Sequence, residues 1–432
     1  MGPSRWLVLA LAAALAACSE RQMQVNPTAG GATGAGPHAA APAYEQLYSF
    51  SDEGGWDPQS SLTYYDDHFY GTTYLGGTHN AGTLFVMDSH GHLKILHDFA
   101  SKDGDYPTMG VTELNGTLYG TTFHGGNGCH GTDCGWGTVY SISPSGENYR
   151  VLHAFTGGAD GALPGAYPGA GNLIVLHGKL YGTTYAGGVG CPATAECGTV
   201  FAVAPLGKLT TVYQFKGKDD GWRPEGIVAF RGVLFGTTLF GGPAKGKHLC
   251  AYDVSCGTIF SLTTSGLKRT LHFFSSTGSE GYWPKAGLTV LDGRLYGTAS
   301  RGGIDATCFY AISKGCGTVF EITTSGAFRV AYSFRGINGD GATPLAALIA
   351  FDGRLYGTLS HGPSKSRHSV GGYGTVFSVT PSGQETTLHA FQGFPNDGAT
   401  PQAALTYANG ALYGTTTVGG AVQRGTLFSL RP

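Results

Sequence analysis

Short runs of apolar residues, each closed by Gly, Pro, Asn, Asp or Ser, follow one another from about residue 44 to the last residue. Residues 110–155 show the unit. They read as a run at 110–114, a turn at Asn115-Gly116, a run at 117–122, a Gly-Gly loop, a run at 137–143, a turn at 144–146 and a run at 149–155. The runs are rich in β-branched and aromatic residues, so each unit predicts four short strands. Asn-Gly or Asp-Gly returns at the first turn in Asp292-Gly293, Asp352-Gly353 and Asn409-Gly410, a strong two-residue hairpin signal. No amphipathic helical period interrupts the pattern.

Two markers fix the phase. Leu-Tyr-Gly-Thr-Thr or a near variant is centred on Gly71, Gly120, Gly182, Gly236, Gly297, Gly357 and Gly414. Gly-Thr-[Val/Leu/Ile]-[Phe/Tyr] begins at Gly82, Gly137, Gly198, Gly257, Gly317, Gly374 and Gly425. Seven units of four antiparallel strands predict an all-β, seven-bladed β-propeller over residues 44–432. The units are cut out of phase. Residues 44–50 match a fourth strand, and residues 403–430 hold three. The N-terminal strand is therefore expected to complete the last blade and close the ring.

These motifs, with Leu-His-x-Phe on the fourth run, resemble the GloVer (Gloeo/Verruco) tandem repeat of bacterial surface and secreted proteins, over about 90% of the chain. The resemblance implies propeller-like repeats at the cell surface. It implies no established activity, so no catalytic residue is carried over.

The first residues differ in kind. Residues 1–17 hold one basic residue, Arg5, and an apolar run too short to span a bilayer, which reads as a signal peptide. The run closes on Leu15-Ala16-Ala17-Cys18, which resembles a bacterial lipobox. Cys18 is the expected lipidated residue, and Ser19 after it favours outer-membrane sorting, with the protein periplasmic or surface-exposed. Residues 18–43, rich in Ala, Gly and Pro, are the expected tether.

Composition narrows the partners. The formal net charge is −2 with no basic stripe, so nucleic acid is not expected. The chain reads as a monomer, with the membrane met through the lipid anchor alone. Its 73 glycines recur in phase with aromatic residues and mark turns and tight packing. The mid-strand glycine of Leu-Tyr-Gly-Thr-Thr implies a close neighbour, expected from the facing blade.

Besides Cys18, eight cysteines form four in-register pairs: Cys129/Cys134, Cys191/Cys197, Cys250/Cys256 and Cys308/Cys316. In an exported chain these predict four local disulfides. Their varied spacing lacks the converging pattern of zinc ligation, and no metal or cofactor is expected. His97, His153, His272 and His389 alternate with Tyr48, Tyr213 and Tyr332 at one position. They read as flat rings with one hydrogen bond, packed between blades. Asp103, Asp160, Asp220, Asp340 and Asp397, with Glu280 as a variant, read as turn formers, a calcium or substrate role being the alternative.

The candidate binding residues are aromatic. Trp56, Tyr106, Tyr167, Trp222 and Trp283 lie near the proline that leads into each unit, and Trp136 lies in the loop between second and third strands. In a propeller both connections open on one face. Either the rings form a binding surface there or each caps its own blade. No catalytic residue can be named. The expectation is a surface-tethered binding or scaffold propeller for polysaccharide or peptide. The alternative is a carbohydrate-active lyase or hydrolase on the same face, which a paired His with Arg or Lys would favour.

Overall fold

Each repeat folds into an antiparallel sheet whose strands neighbour one another in chain order, and seven such sheets form a β-propeller. The computed structural model describes residues 43–126, 135–165, 171–189, 197–243, 255–275, 279–304, 308–310, 313–336, 340–363 and 372–432. The blades are numbered here by their first strands: Thr63–Tyr65, Thr112–Leu114, Ile174–Leu176, Trp222–Phe230, Thr289–Leu291, Ile349–Phe351 and Thr406–Ala408. Blade 2 continues with Thr117–Thr122, Thr138–Ile142 and Arg150–Ala154. Blade 3 gains an extra short strand, Ala162–Pro164.

The hairpins follow the turn chemistry of the sequence. Asn115-Gly116 and Asp292-Gly293 have positive φ at both residues, and Asp66-Asp67, His177-Gly178 and Arg231-Gly232 adopt the same form in blades without the signature. The first strands of blades 1 and 2, 2 and 3, 3 and 4, 5 and 6, 6 and 7, and 7 and 1 touch, so first strands line the axis. Thr63, Thr112, Thr289 and Thr406 donate their hydroxyls to Val111, Leu173, Leu348 and Leu62 carbonyls of the next blade. Asn172 of blade 3 reaches Thr63 Oγ1 of blade 1 at 3.1 Å and Val111 O of blade 2 at 2.9 Å. Asn172 thus bridges three successive blades.

The hydrophobic core lies between blades. One cluster joins Phe235 and Ile259 of blade 4 to Leu288, Leu295 and Phe320 of blade 5. Another joins Tyr356 and Val376 of blade 6 to Leu412 and Phe428 of blade 7. The close neighbour of the mid-strand glycine comes from its own blade. Gly71 pairs in register with Phe85, whose ring crosses the space a Cβ would fill, at 2.6 Å, and Gly297 does the same with Phe320. The expectation of a facing-blade neighbour is corrected: the ring of the third strand lies over the glycine, and the glycine makes room for it.

The ring closes as its phase implies. Ala43–Ser49 pairs antiparallel with Thr426–Arg431, Tyr44 opposite Leu430, as the outermost strand of blade 7. A second lock sits at every seam. The glycine that opens each third strand abuts the proline of the next blade: Gly82 with Pro107, Gly137 with Pro164, Gly198 with Pro224, Gly257 with Pro284, Gly317 with Pro344, Gly374 with Pro401 and Gly425 with Pro58.

Candidate functional site

The residue before each seam proline has an unusual backbone. Asp57, Tyr106, Leu163, Arg223, Trp283, Thr343 and Thr400 all have φ between 54° and 65°. A left-handed conformation is costly for such residues, and the seam holds it. The N–H of Arg223 donates to Cys197 O at 3.0 Å, that of Trp283 to Cys256 O at 2.9 Å and that of Thr343 to Cys316 O at 2.8 Å. In return the carbonyls of Tyr106, Trp283 and Thr343 accept Phe123, Ser300 and Ser360 N–H. The connection between blades and the loop between second and third strands are thereby tied together on one face, close to the axis.

Cysteines frame this arrangement. Cys308 and Cys316 form a disulfide, with Cα atoms 5.2 Å apart. Cys197 and Cys256 are disulfide-bonded too. Cys129, Cys134, Cys191 and Cys250 lie outside the described residues, as do Cys18 and Tyr167. Cys197, Cys256 and Cys316, each disulfide-bonded, supply the carbonyls that place Arg223, Trp283 and Thr343. Disulfide-bonded residues therefore hold the seam residues of blades 4 to 6.

The sequence-predicted aromatics divide into groups. The Arg223 guanidinium lies 4.4 Å over the Tyr185 ring and 5.4 Å over Trp222. Trp222 packs on Phe240 at 4.6 Å, and Phe240 meets Trp283 edge-on at 6.1 Å. These residues make one arc. Trp283 also packs against the core between blades 4 and 5. Tyr106 sits instead on Tyr74, at 5.1 Å. Trp56 stacks under Arg424 at 4.4 Å, on the seam of blades 7 and 1. Trp136 is 48% exposed and lies against Gly157.

The arc continues as polar groups. Ser300 donates to Trp283 O at 2.9 Å, Arg301 Nη1 to Thr343 Oγ1 at 2.8 Å, and Ser360 to Thr343 O at 3.0 Å. Ser360 Oγ and His361 Nδ1 are 3.0 Å apart. Behind them sit Glu225 and Lys285, the residues after two successive seam prolines. Burial pushes the Glu225 carboxyl up to about 8 against the pull of Lys285 and Arg223, so it keeps its proton at neutral pH. Burial and then the Arg301 charge push His361 down to about 4, so its ring is neutral. Arg301 and His361 lie in loops that vary between repeats and belong to no repeat motif. Glu225 and Lys285 carried no signal, since Gln59, Thr108 and Leu345 occupy the equivalent place.

The histidines and acids prove to be one device. His97 bonds Asp103 at 2.9 Å, and His153, His272 and His389 bond Asp160, Glu280 and Asp397 at 3.1 Å. Tyr213 and Tyr332 donate to Asp220 and Asp340 at 2.8 and 2.7 Å. The neighbouring blade then stacks on the ring: Tyr149 on His97 at 3.8 Å, Phe328 on His272 at 4.0 Å, Tyr44 on His389 at 3.7 Å. Among the described residues no three His, Cys, Asp or Glu converge as metal ligands. No helix among them is long and apolar enough to cross a membrane.

The chain matches the Gloeobacter/Verrucomicrobia repeat over three tandem segments, residues 28–134, 129–309 and 255–432. The chain belongs to the Gloeobacter/Verrucomicrobia repeat family. No curated protein matches this repeat protein in sequence. Solved structures similar to it include an oligogalacturonate lyase in complex with manganese, at TM-score 0.48 and 10% identity over 91% of this chain and 96% of that one. A gluconolactonase from Xanthomonas campestris matches at TM-score 0.38 and 15% identity over 68% of this chain and 78% of that one. A luciferin-regenerating enzyme matches at 0.43 and 10%, over 91% and 96%. Likeness at this level carries no chemistry across.

Proposed function

We propose that this repeat protein is a tethered binding module that takes an extracellular saccharide polymer on the face bearing the arc of blades 3 to 6. One observation carries the reading: the rings of Trp222, Phe240 and Trp283 lie together on that face, with the Arg223 guanidinium over Trp222 and Phe240. Sugar rings offer apolar faces to aromatic planes and hydroxyls to polar side chains beside them. A glycan array tests it. Binding that falls at least tenfold in Trp222→Ala, with the melting temperature kept, supports the reading; a blank array refutes it. Trp222 is the better probe, because removing Trp283 also cuts into the core. The proposal includes an anchor at Cys18, with outer-membrane placement. Cys18→Ala should move the protein from the membrane fraction to the soluble one, and a mutant that still sediments refutes the anchor.

A second reading, a carbohydrate-active enzyme, is supported by neutral His361 beside Arg301 and by proton-bearing Glu225, a base and an acid on one face. Release of unsaturated or reducing ends from a bound polymer, lost in His361→Ala, separates it from binding alone.

A further inference from the structure

One backbone position recurs at every seam. The residue before each third-strand glycine gives its carbonyl to the strained residue of the next blade. Cys197, Cys256 and Cys316 hold it at the three seams of the arc. At the seam before them stands Trp136, whose carbonyl accepts Leu163 N–H at 2.7 Å. At the seam after them stands Tyr373, whose carbonyl accepts Thr400 N–H at 2.7 Å. An aromatic ring therefore flanks the arc at either end, on the same face. Ala81 and Arg424 occupy the two seams left over.

Both rings lie flat on a glycine. Three atoms of the Trp136 indole come within 3.0 Å of the place a Cβ would take on Gly157, and three of the Tyr373 ring do the same on Gly393. The sulfurs of Cys197 and Cys316 face Gly217 and Gly336 in the same way. The glycine covers one side of each ring and solvent meets the rest: Trp136 is 48% and Tyr373 54% exposed. Ala81 shows that the carbonyl does its work without a ring. Phe394, next to Gly393, adds a ring 52% exposed at the Tyr373 end. A ring fixed flat and open on one side is a stacking platform for the apolar face of a sugar.

We propose that Trp136 and Tyr373 are outer subsites of the arc, and that its ligand is an internal stretch of polysaccharide long enough to reach them. This rests on the saccharide reading above. With the middle of the polymer held at the arc, each outer contact forms inside a complex already made, at a high effective concentration. A fragment too short to reach a ring gains nothing from it. The face therefore selects long chains over their small fragments.

The test titrates the full chain by calorimetry with graded oligosaccharides of xylan, alginate and pectate, from disaccharide to polymer. Trp136→Ala and Tyr373→Ala should each weaken binding of the polymer about tenfold, and leave the shortest bound fragment unchanged, with the melting temperature kept. Trp136→Phe and Tyr373→Phe, which keep a ring over the glycine, should keep the polymer affinity. Equal losses at every length, or no loss at any, overturn the outer subsites and leave the saccharide reading standing. Short fragments that bind Trp222→Ala as well as the parent overturn the arc reading instead. Failure of all three series overturns the proposal, and the glycan array then decides the saccharide reading by itself.

Discussion

At Gly297 a methyl group would lie 2.5 Å from Phe320 Cζ and 2.7 Å from Leu288 Cδ2. Both neighbours are fully enclosed in the core between blades 4 and 5, so neither can give way cheaply. Gly297→Ala should cost about 1–3 kcal/mol in urea unfolding; a variant as stable as the parent would show that blade 5 can spread there. Glu385 makes a second prediction. It holds the place that Tyr44, Tyr149 and Phe328 hold on other blades, stacked over the previous blade's ring, but it is itself an acid beside Asp340. Burial, then the Asp340 charge, raises its carboxyl to about 7. The fold therefore retains a proton that the unfolded chain loses near the ordinary value, and the stability tied to it is full in acid and fades as pH rises through 7. With Glu385 partly exposed and screened, the effect is about 1 kcal/mol. Glu385→Gln should be more stable than the parent at pH 8 and equal to it at pH 4, below the ordinary carboxyl value; the same gap at both values rules out the titration. The glycine was readable in the sequence because a mid-strand glycine demands a reason. Its partner was not, since the identity of the covering ring depends on cross-strand register. Glu385 was hidden by its residue type, which shares nothing chemical with tyrosine.

At the scale of loops and strands, the disulfides bear on the site more than on the fold. The Cys308–Cys316 link closes a separation of only 8 residues, a short loop worth at most about 2–3 kcal/mol. Its carbonyl, however, holds Thr343, as those of Cys197 and Cys256 hold Arg223 and Trp283. Mild reduction should lower the melting temperature by a few degrees while weakening ligand binding about tenfold or more. Parallel loss of both, or intact binding after reduction, would separate the loops from the seam residues. Strand number, hairpin turns and the in-register cysteines were legible, because each leaves a residue-type signature at fixed spacing. The seam was legible only in part. Its proline and glycine stand in every repeat, but nothing in one repeat says that they meet across two. Trp222 and Trp283 were picked out for their size, although they occupy different positions, one before the strained residue and one at it. Tyr106 matches Trp283 in position yet lies with Tyr74, outside the arc.

For the molecule as a whole, the pairing of Ala43–Ser49 with Thr426–Arg431 joins strands from opposite ends of the repeat array. The seam beside it adds Phe69 on Tyr413 at 4.1 Å and Thr406 bonded to Leu62 O at 2.6 Å. Deleting residues 43–50 should expose the Thr426–Arg431 edge and remove Phe50 from the core. The expected result is a broadened, lower thermal transition with increased aggregation; an unchanged, sharp transition would mean that seams alone hold the ring. Out-of-phase repeats foretold this closure. The confinement of the arc to blades 3 to 6 was not foretold, because near-identical repeats conceal which blades have diverged at a single position. The same pairing also sets an order of events. The strand that leaves the ribosome first stays without its partner until the repeats behind it have all been made, so the last strand added is the one that ends its exposure. Through synthesis the growing array is an open stack with an unsatisfied edge at its front, the state in which two chains can join to each other. A chain cut short by even its final strand would stay in that condition.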